Sequence, residues 1–251
     1  MKTTRSSLHL GLIALPLSLA LAACGGDDAA TEGSISGEPV AEVPAPEGQS
    51  WLDTVEVSDA DGYIVGNPDA PIKLIEYASY TCGACANFIE TGVEPLKSEY
   101  VESGRVSYEL RNLVRDPIDL SVAVLARCGS PESFHPLSEQ VWRNFQTIMG
   151  AAQSNGQQIE AAMTRPENER LAGVAEAVGL IDFFASRGLS RDQARQCLAD
   201  TEKVKSIAEN SNTQATEMNV TGTPTFFING TNAEALGWDQ LEVALQEAGA
   251  R

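Results

Sequence analysis

Cys82-Gly83-Ala84-Cys85 directly follows the apolar run Ile72-Lys73-Leu74-Ile75-Glu76-Tyr77. Two cysteines three positions apart, where a β-rich run gives way to a helix, restrict what the chain can fold into. The pair can interconvert between dithiol and disulfide. Its first thiol falls in the opening turn of the helix, where unpaired backbone N–H groups and the helix dipole favour thiolate over thiol. The thiolate is the attacking species in thiol–disulfide exchange, so the tetrapeptide points to a chemistry as well as to a strand–helix junction.

Two other uses of the motif compete. A structural zinc site needs two further ligands, usually a second close pair. Outside the motif the cysteines are Cys24, Cys128 and Cys197, all isolated, and His135 is the single histidine beyond the first ten residues. No metal or cofactor site is therefore expected. A purely structural bridge across Cys82–Cys85 would close a tiny loop and constrain little of the unfolded chain. Cys128 and Cys197 either pair with each other or remain buried as small hydrophobes.

The N-terminus reads as an export signal. Lys2 and Arg5 precede the apolar stretch Leu8 to Ala22, which is too short and wrongly flanked to span a membrane. Residues 1–23 are assigned to a signal peptide. Leu21-Ala22-Ala23-Cys24 resembles the bacterial lipobox, which implies lipidation of Cys24 as the first mature residue. Plain cleavage beside it would instead leave a free thiol. Gly25 rather than an aspartate, by analogy with Gram-negative sorting, favours the outer membrane. Residues 25–50 hold six acidic side chains, no basic or aromatic residue, and Pro39, Pro44 and Pro46. Such a composition resists burial, so residues 24–50 are expected to be a disordered tether. Removing Lys2 and Arg5 takes the net charge from −18 to near −20, which argues against nucleic acid or anionic headgroups as partners.

Beyond the tether, Gly62 to Val65 and Ile72 to Tyr77 read as strands. A helix follows from Cys82 toward Tyr100, with a kink expected near Pro95, and Val106 to Leu110 form another strand. From Pro117 to Met218 apolar residues recur at helical spacing, with Gly150, Gly156 and Gly188 expected in loops and Ser190 at a helix start. Trp142, Phe145, Phe183 and Phe184 read as core of this block, and His135 as a surface or helix-packing residue. Strand character returns at Thr223-Pro224-Thr225-Phe226-Phe227-Ile228, Asn229-Gly230 reads as a tight hairpin turn, and a last helix runs from about Trp238 to Ala248. The divisions are 51–116, 117–218 and 219–251.

Three features together resemble the thioredoxin-like family, and within it the DsbA-type thiol–disulfide oxidoreductases. They are the CxxC after a strand, the segment Thr221-Gly222-Thr223-Pro224-Thr225-Phe226-Phe227-Ile228-Asn229-Gly230, and the long helical block between two β-containing halves. The resemblance covers about residues 60–250. It implies an α/β fold, a thioredoxin domain at 51–116 and 219–251 with an all-helical domain inserted at 117–218. It implies further that Cys82 is the nucleophile, Cys85 the buried resolving thiol and Pro224 a cis proline beside them. Gly222 and Thr223 would pair with an extended substrate. Glu76, inside an apolar strand, would take or relay the proton of Cys85, burial raising its pKa to suit; otherwise it is a carboxylate at a sheet edge facing water. Some relatives have a second disulfide, which Cys128 and Cys197 would supply.

The dipeptide departs from the family. DsbA enzymes often have a histidine between the cysteines, whereas Gly83-Ala84 offers no charge, so thiolate stabilisation must come mainly from backbone N–H groups. A less oxidising couple is expected. The leading reading is a monomeric, lipid-tethered dithiol oxidase that acts on reduced exported proteins in the periplasm or cell envelope and is reoxidised by a membrane-bound partner. A reductase or isomerase with the same site is the alternative within the class, and a non-redox binding or chaperone module the alternative outside it.

Overall fold

The computed structural model describes residues 35–251. The expected signal peptide and Cys24 lie outside the described residues.

A six-stranded sheet forms the centre, in the spatial order β1-β2-β4-β3-β5-β6. Its strands are β1 (Val55–Val57), β2 (Tyr63–Val65), β3 (Ile72–Ala78), β4 (Val106–Asn112), β5 (Thr225–Ile228) and β6 (Thr231–Asn232). β3 and β4 run parallel, with Leu74 opposite Tyr108 and Glu76 opposite Leu110. β5 lies antiparallel on the other side of β3, with Glu76 opposite Phe226. β3 is thus central, buried on both edges, as its near-continuous apolar run requires. That removes the sheet-edge alternative for Glu76.

The crossover from β3 to β4 carries α1 (Gly83–Thr91) and α2 (Val93–Pro95), continued by a π-helical turn over Leu96–Val101. The break falls at Gly92, three residues before the proline expected to cause it. Gly92 adopts φ −122° and ψ −28°, and a Cβ there would meet the Phe88 ring at 2.7 Å. Pro95 instead sits at the end of α2, with helical φ and ψ.

Eight helices separate β4 from β5: α3 (Pro117–Ala126), α4 (Phe134–Arg143), α5 (Phe145–Ser154), α6 (Gly156–Met163), α7 (Glu167–Ala177), α8 (Leu180–Ala185), α9 (Arg191–Ala199) and α10 (Thr201–Glu217). Asp116 caps α3, accepting from the N–H groups of Ile118 and Asp119, with Pro117 at the first helical position. Ser190 and Gln193 form a capping box on α9. Gly150, expected in a loop, lies inside α5, where Ile148 and its neighbours hold the helix to the core. α11 (Trp238–Glu247) closes the chain.

Cys128, just past α3, and Cys197, in α9, are disulfide-bonded with Cα atoms 6.0 Å apart. The bridge closes a loop of 69 residues, for which chain entropy gives a stabilisation of about 4 kcal/mol. Cys128→Ala/Cys197→Ala is expected to lower the urea midpoint accordingly while leaving the Cys82–Cys85 couple working. An unchanged midpoint would show that the bridge staples nothing.

The tether expectation needs correction for residues 35–50. The N–H groups of Gly37, Val40 and Val43 donate to the carbonyls of Glu247, Gly249 and Ser103. Ile35 and Val40 pack on the core, and Arg105 pairs with Glu42 at 2.9 Å. A few apolar side chains and backbone bonds dock the segment, which an average over its acidic composition hides. The segment runs by the residues that lead into β4. Because β4 is parallel to β3, this is the pole opposite the end of β3 that leads to Cys82.

Candidate active site

Cys82 is the N-cap of α1, with φ −100° and ψ 119°, and leaves the next residues to start the helix. Both Cys82 and Cys85 are free thiols and both are buried, whereas Gly83 and Ala84 between them are exposed.

The two thiols are strongly differentiated. Cys82 is lowered to about 4, chiefly by the hydrogen bond from the Cys85 thiol. Burial opposes this, and Thr223 and the N–H groups of Cys85 and Ala84 add to it. The uncharged Gly83-Ala84 dipeptide points to the backbone as the main source of this lowering, but the neighbouring Cys85 thiol contributes more. Cys85 moves in the opposite direction, far above an ordinary thiol, because it holds its proton for Cys82, because it is buried, and because Glu76 is near. One thiolate and one thiol share one proton, so the titration belongs to the pair.

The bond between Thr223 and Pro224 is cis. The Thr223 carbonyl lies 3.2 Å from the Cys82 sulfur, which donates to it as a thiol. Pro224 is buried beside the pair, Gly222 is exposed, and the Thr223 hydroxyl is buried with no hydrogen-bond partner among the described residues. Asn229 and Gly230 have φ of 49° and 82°, the positive values that a two-residue type I′ hairpin turn demands. That turn returns β6 along β5.

Glu76 is 1% exposed. Tyr108, on β4 two residues before Glu76's partner Leu110, donates its hydroxyl to Oε2, and Oε1 has no partner among the described residues. Burial raises the carboxyl to about 8, with the Tyr108 bond opposing and the Cys82 charge adding to it. Burial thus favours its protonated form at neutral pH, and its charge, when ionised, raises the Cys85 thiol. No hydrogen bond joins Glu76 to Cys85 among the described residues, so it acts on that sulfur through space.

Several residues that sequence reasoning placed elsewhere, or passed over, meet at this site. Trp142 and Phe145 were expected in the helical core. Trp142 is buried, but its indole N–H donates to the Ser79 carbonyl in the approach to Cys82, at 3.0 Å. Phe145 is half-buried beside Gly83. With Ala86, Asn87, Glu90 and Arg143 they line a cleft of about 300 Å³ alongside α1. His135 is buried, its Nε2 against the Tyr63 carbonyl, and burial lowers it to about 3. It is a neutral packing residue. Among the described residues no cluster of three or more His, Cys, Asp or Glu side chains could hold a metal ion. None of their helices is long and apolar enough to cross a membrane.

Comparison with known proteins places this geometry. The thioredoxin family profile matches residues 58–247. The crystal structure of a protein-disulfide isomerase from Novosphingobium aromaticivorans aligns with a TM-score of 0.69 at 32% identity, covering 73% of this chain and 94% of that one. Wolbachia pipientis alpha-DsbA1 shares the fold, with a TM-score of 0.59 at 21% identity over 75% of this chain and 92% of its own. A Rickettsia bellii protein with the provisional name protein-disulfide oxidoreductase is 24% identical over 204 residues, 81% of this chain and 70% of that protein.

Proposed function

The chain belongs to the thioredoxin family, as a DsbA-like thiol–disulfide oxidoreductase, and from that premise we propose that it works as a dithiol oxidase on exported proteins. The observation that carries this reading is the seat of Cys82 at the N-cap of α1, one turn from the buried Cys85 and 3.2 Å from the Thr223 carbonyl, a setting that lowers the Cys82 thiol and raises Cys85. Stabilising the Cys82 thiolate favours the reduced form, and a couple whose reduced form is favoured is an oxidant.

A substrate thiolate attacks the Cys82 sulfur of the disulfide form. A substrate–Cys82 disulfide forms, the Cys82–Cys85 bond breaks, and Cys85 leaves with the electron pair and takes up a proton that we assign to Glu76. The second substrate thiol, losing its proton to solvent, then attacks the substrate sulfur of the mixed disulfide. Cys82 leaves as a stabilised thiolate. The substrate is oxidised by two electrons and the Cys82–Cys85 pair is reduced by two. Gly222, Thr223 and the cis Pro224 would hold the substrate backbone extended during both exchanges.

The couple returns to disulfide by exchange with a membrane-bound partner. The protein is exported, lipidated at Cys24, and acts as a monomer on the periplasmic or envelope side, outer membrane if the cell is Gram-negative. The docking of residues 35–50 at the pole opposite Cys82 supports a tether that leaves the site facing away from the anchoring surface. Mass spectrometry of the mature N-terminus checks the anchor; an unmodified Cys24 thiol removes it.

Equilibration with glutathione buffers tests the oxidase reading. The expected reduction potential lies well above that of thioredoxin, about −270 mV. Because Gly83-Ala84 supplies no cation, it should lie below that of relatives with a histidine there. A value at or below thioredoxin's would make the protein a reductase. The 32% identity to a protein named as an isomerase favours a second reading, disulfide isomerisation at the same site. Rescue of scrambled ribonuclease by the wild type, without added oxidant, would select it.

A further inference from the structure

The tripeptide Ser79-Tyr80-Thr81 joins β3 to the nucleophile, and its polar groups are fastened by the helical insertion and by Arg115 and Asp116, which lead into it. Asp119, in the first turn of α3, is fully buried. Its Oδ2 accepts from the Ser79 hydroxyl at 2.6 Å and from the Arg115 N–H at 3.1 Å, and its Oδ1 accepts from the Tyr80 N–H at 2.9 Å. Asp116 accepts from the Thr81 hydroxyl at 2.6 Å, and the Arg115 guanidinium donates to the Thr81 carbonyl at 2.9 Å. From α4, Ser138 bonds the Tyr80 hydroxyl at 2.7 Å, and Trp142 donates to the Ser79 carbonyl.

Ser79 is the residue through which this fastening reaches the sulfurs. Its carbonyl also accepts the Cys82 N–H at 3.2 Å, which sets the turn that makes Cys82 an N-cap. The Ser79 backbone also pulls the Cys85 thiol down. A displacement of Ser79 therefore shifts the turn that seats Cys82 at the head of α1. A buried carboxylate with no cation bonded to it is a costly way to hold a loop. Here burial pushes Asp119 up to about 6, with the Ser79 hydroxyl and the Tyr80 and Arg115 N–H groups pulling it down. A neutral amide of the same shape could not accept all three donors, because one of its two polar atoms is itself a donor.

We propose that Asp119 is a positioning residue for the nucleophile: through Ser79 it sets the geometry in which Cys85, Thr223 and the first N–H groups of α1 stabilise the Cys82 thiolate. The helical insertion thereby tunes the redox couple as well as flanking it.

Asp119→Asn in the full mature chain tests this, with two readouts that a stability role alone would leave unmoved. The pH midpoint of Cys82 alkylation is expected to rise by about one unit, leaving about tenfold less thiolate below the midpoint. The equilibrium with glutathione is expected to shift by a similar factor toward the disulfide form. A folded variant with a lower melting temperature but an unchanged alkylation midpoint and glutathione equilibrium would overturn the proposal. A midpoint that falls would also overturn it, because that is the sign of lost through-space repulsion between two anions. If Asp119→Asn does not fold, Ser79→Ala removes the hydroxyl contact and keeps the carboxylate and its two backbone donors. It should move both readouts in the same direction by a smaller factor, and no movement there refutes the proposal equally.

Discussion

Cys82→Ala is expected to reduce the oxidation of a dithiol substrate to the rate of spontaneous exchange, a loss of at least about a thousandfold. The reason is covalent: without the Cys82 sulfur there is no disulfide to attack. The Cys85 variants test the electrostatics. The largest stabilising influence on the Cys82 thiolate is the Cys85 thiol, and a hydrogen bond to a charged group is worth about 1.5–3 kcal/mol. Cys85→Ala deletes that donor and should raise the alkylation midpoint of Cys82 by about one to two pH units. Cys85→Ser keeps an O–H in its place and should stay nearer the wild type. Both variants should retain substrates as stable mixed disulfides, because the resolving sulfur is gone. Equal midpoints for the alanine and serine variants would show that backbone N–H groups, as the sequence alone suggests, carry the stabilisation.

The reasons some of this site was legible in the sequence, and some not, are physical. The CxxC, the strand before it and the hairpin after Pro224 are local. β3 needs an apolar run, α1 needs an N-terminus, and Asn229-Gly230 needs two positive φ values, so each announces itself within a few residues. The helical block is legible from its 3.6-residue spacing, but which way each stripe faces is not. Trp142 and Phe145 lie on apolar faces, as read, yet those faces meet the Cys82 approach and α1. Asp119 lies 40 residues from Ser79 in sequence, and nothing in Asp116-Pro117-Ile118-Asp119 beyond a helix start signals that contact. The docked segment at 35–50 escaped for the opposite reason. Its composition argues for disorder, and three backbone bonds with two apolar anchors overrule composition. Gly92 in place of Pro95 as the break in the crossover shows the same limit. A proline is tolerated near a helix start, whereas the crowding of Phe88 against Gly92 is tertiary.

Glu76→Gln is expected to stabilise the reduced protein increasingly as pH rises. The Glu76 carboxyl stands at about 8 in the folded state, against about 4.3 in an unfolded chain. Between those values the folded protein binds a proton that the unfolded chain does not, so the contribution of Glu76 to stability falls as pH rises through this window and levels off above 8. Cys82 acts in the opposite sense. Its thiol, lowered to about 4 when folded, contributes stability that is complete above the ordinary thiol range and is lost as pH falls toward 4. In the reduced wild type the two slopes nearly cancel across pH 5–8, folded and unfolded chains each holding one proton between the two groups. The glutamine variant removes the Glu76 slope and leaves the other. Its stability relative to wild type should therefore rise by about 1.4 kcal/mol per pH unit, from near zero at pH 4.5 to at most about 4–5 kcal/mol at pH 8. Urea unfolding of both reduced proteins at several pH values measures the difference directly. A difference that does not change with pH would mean that Glu76 is ionised in the folded state across the range, and the proton it is assigned to give Cys85 would have to come from solvent. In the disulfide form Cys82 does not titrate, so the wild type itself should there lose stability from pH 5 to 8, and the glutamine variant should lose much less.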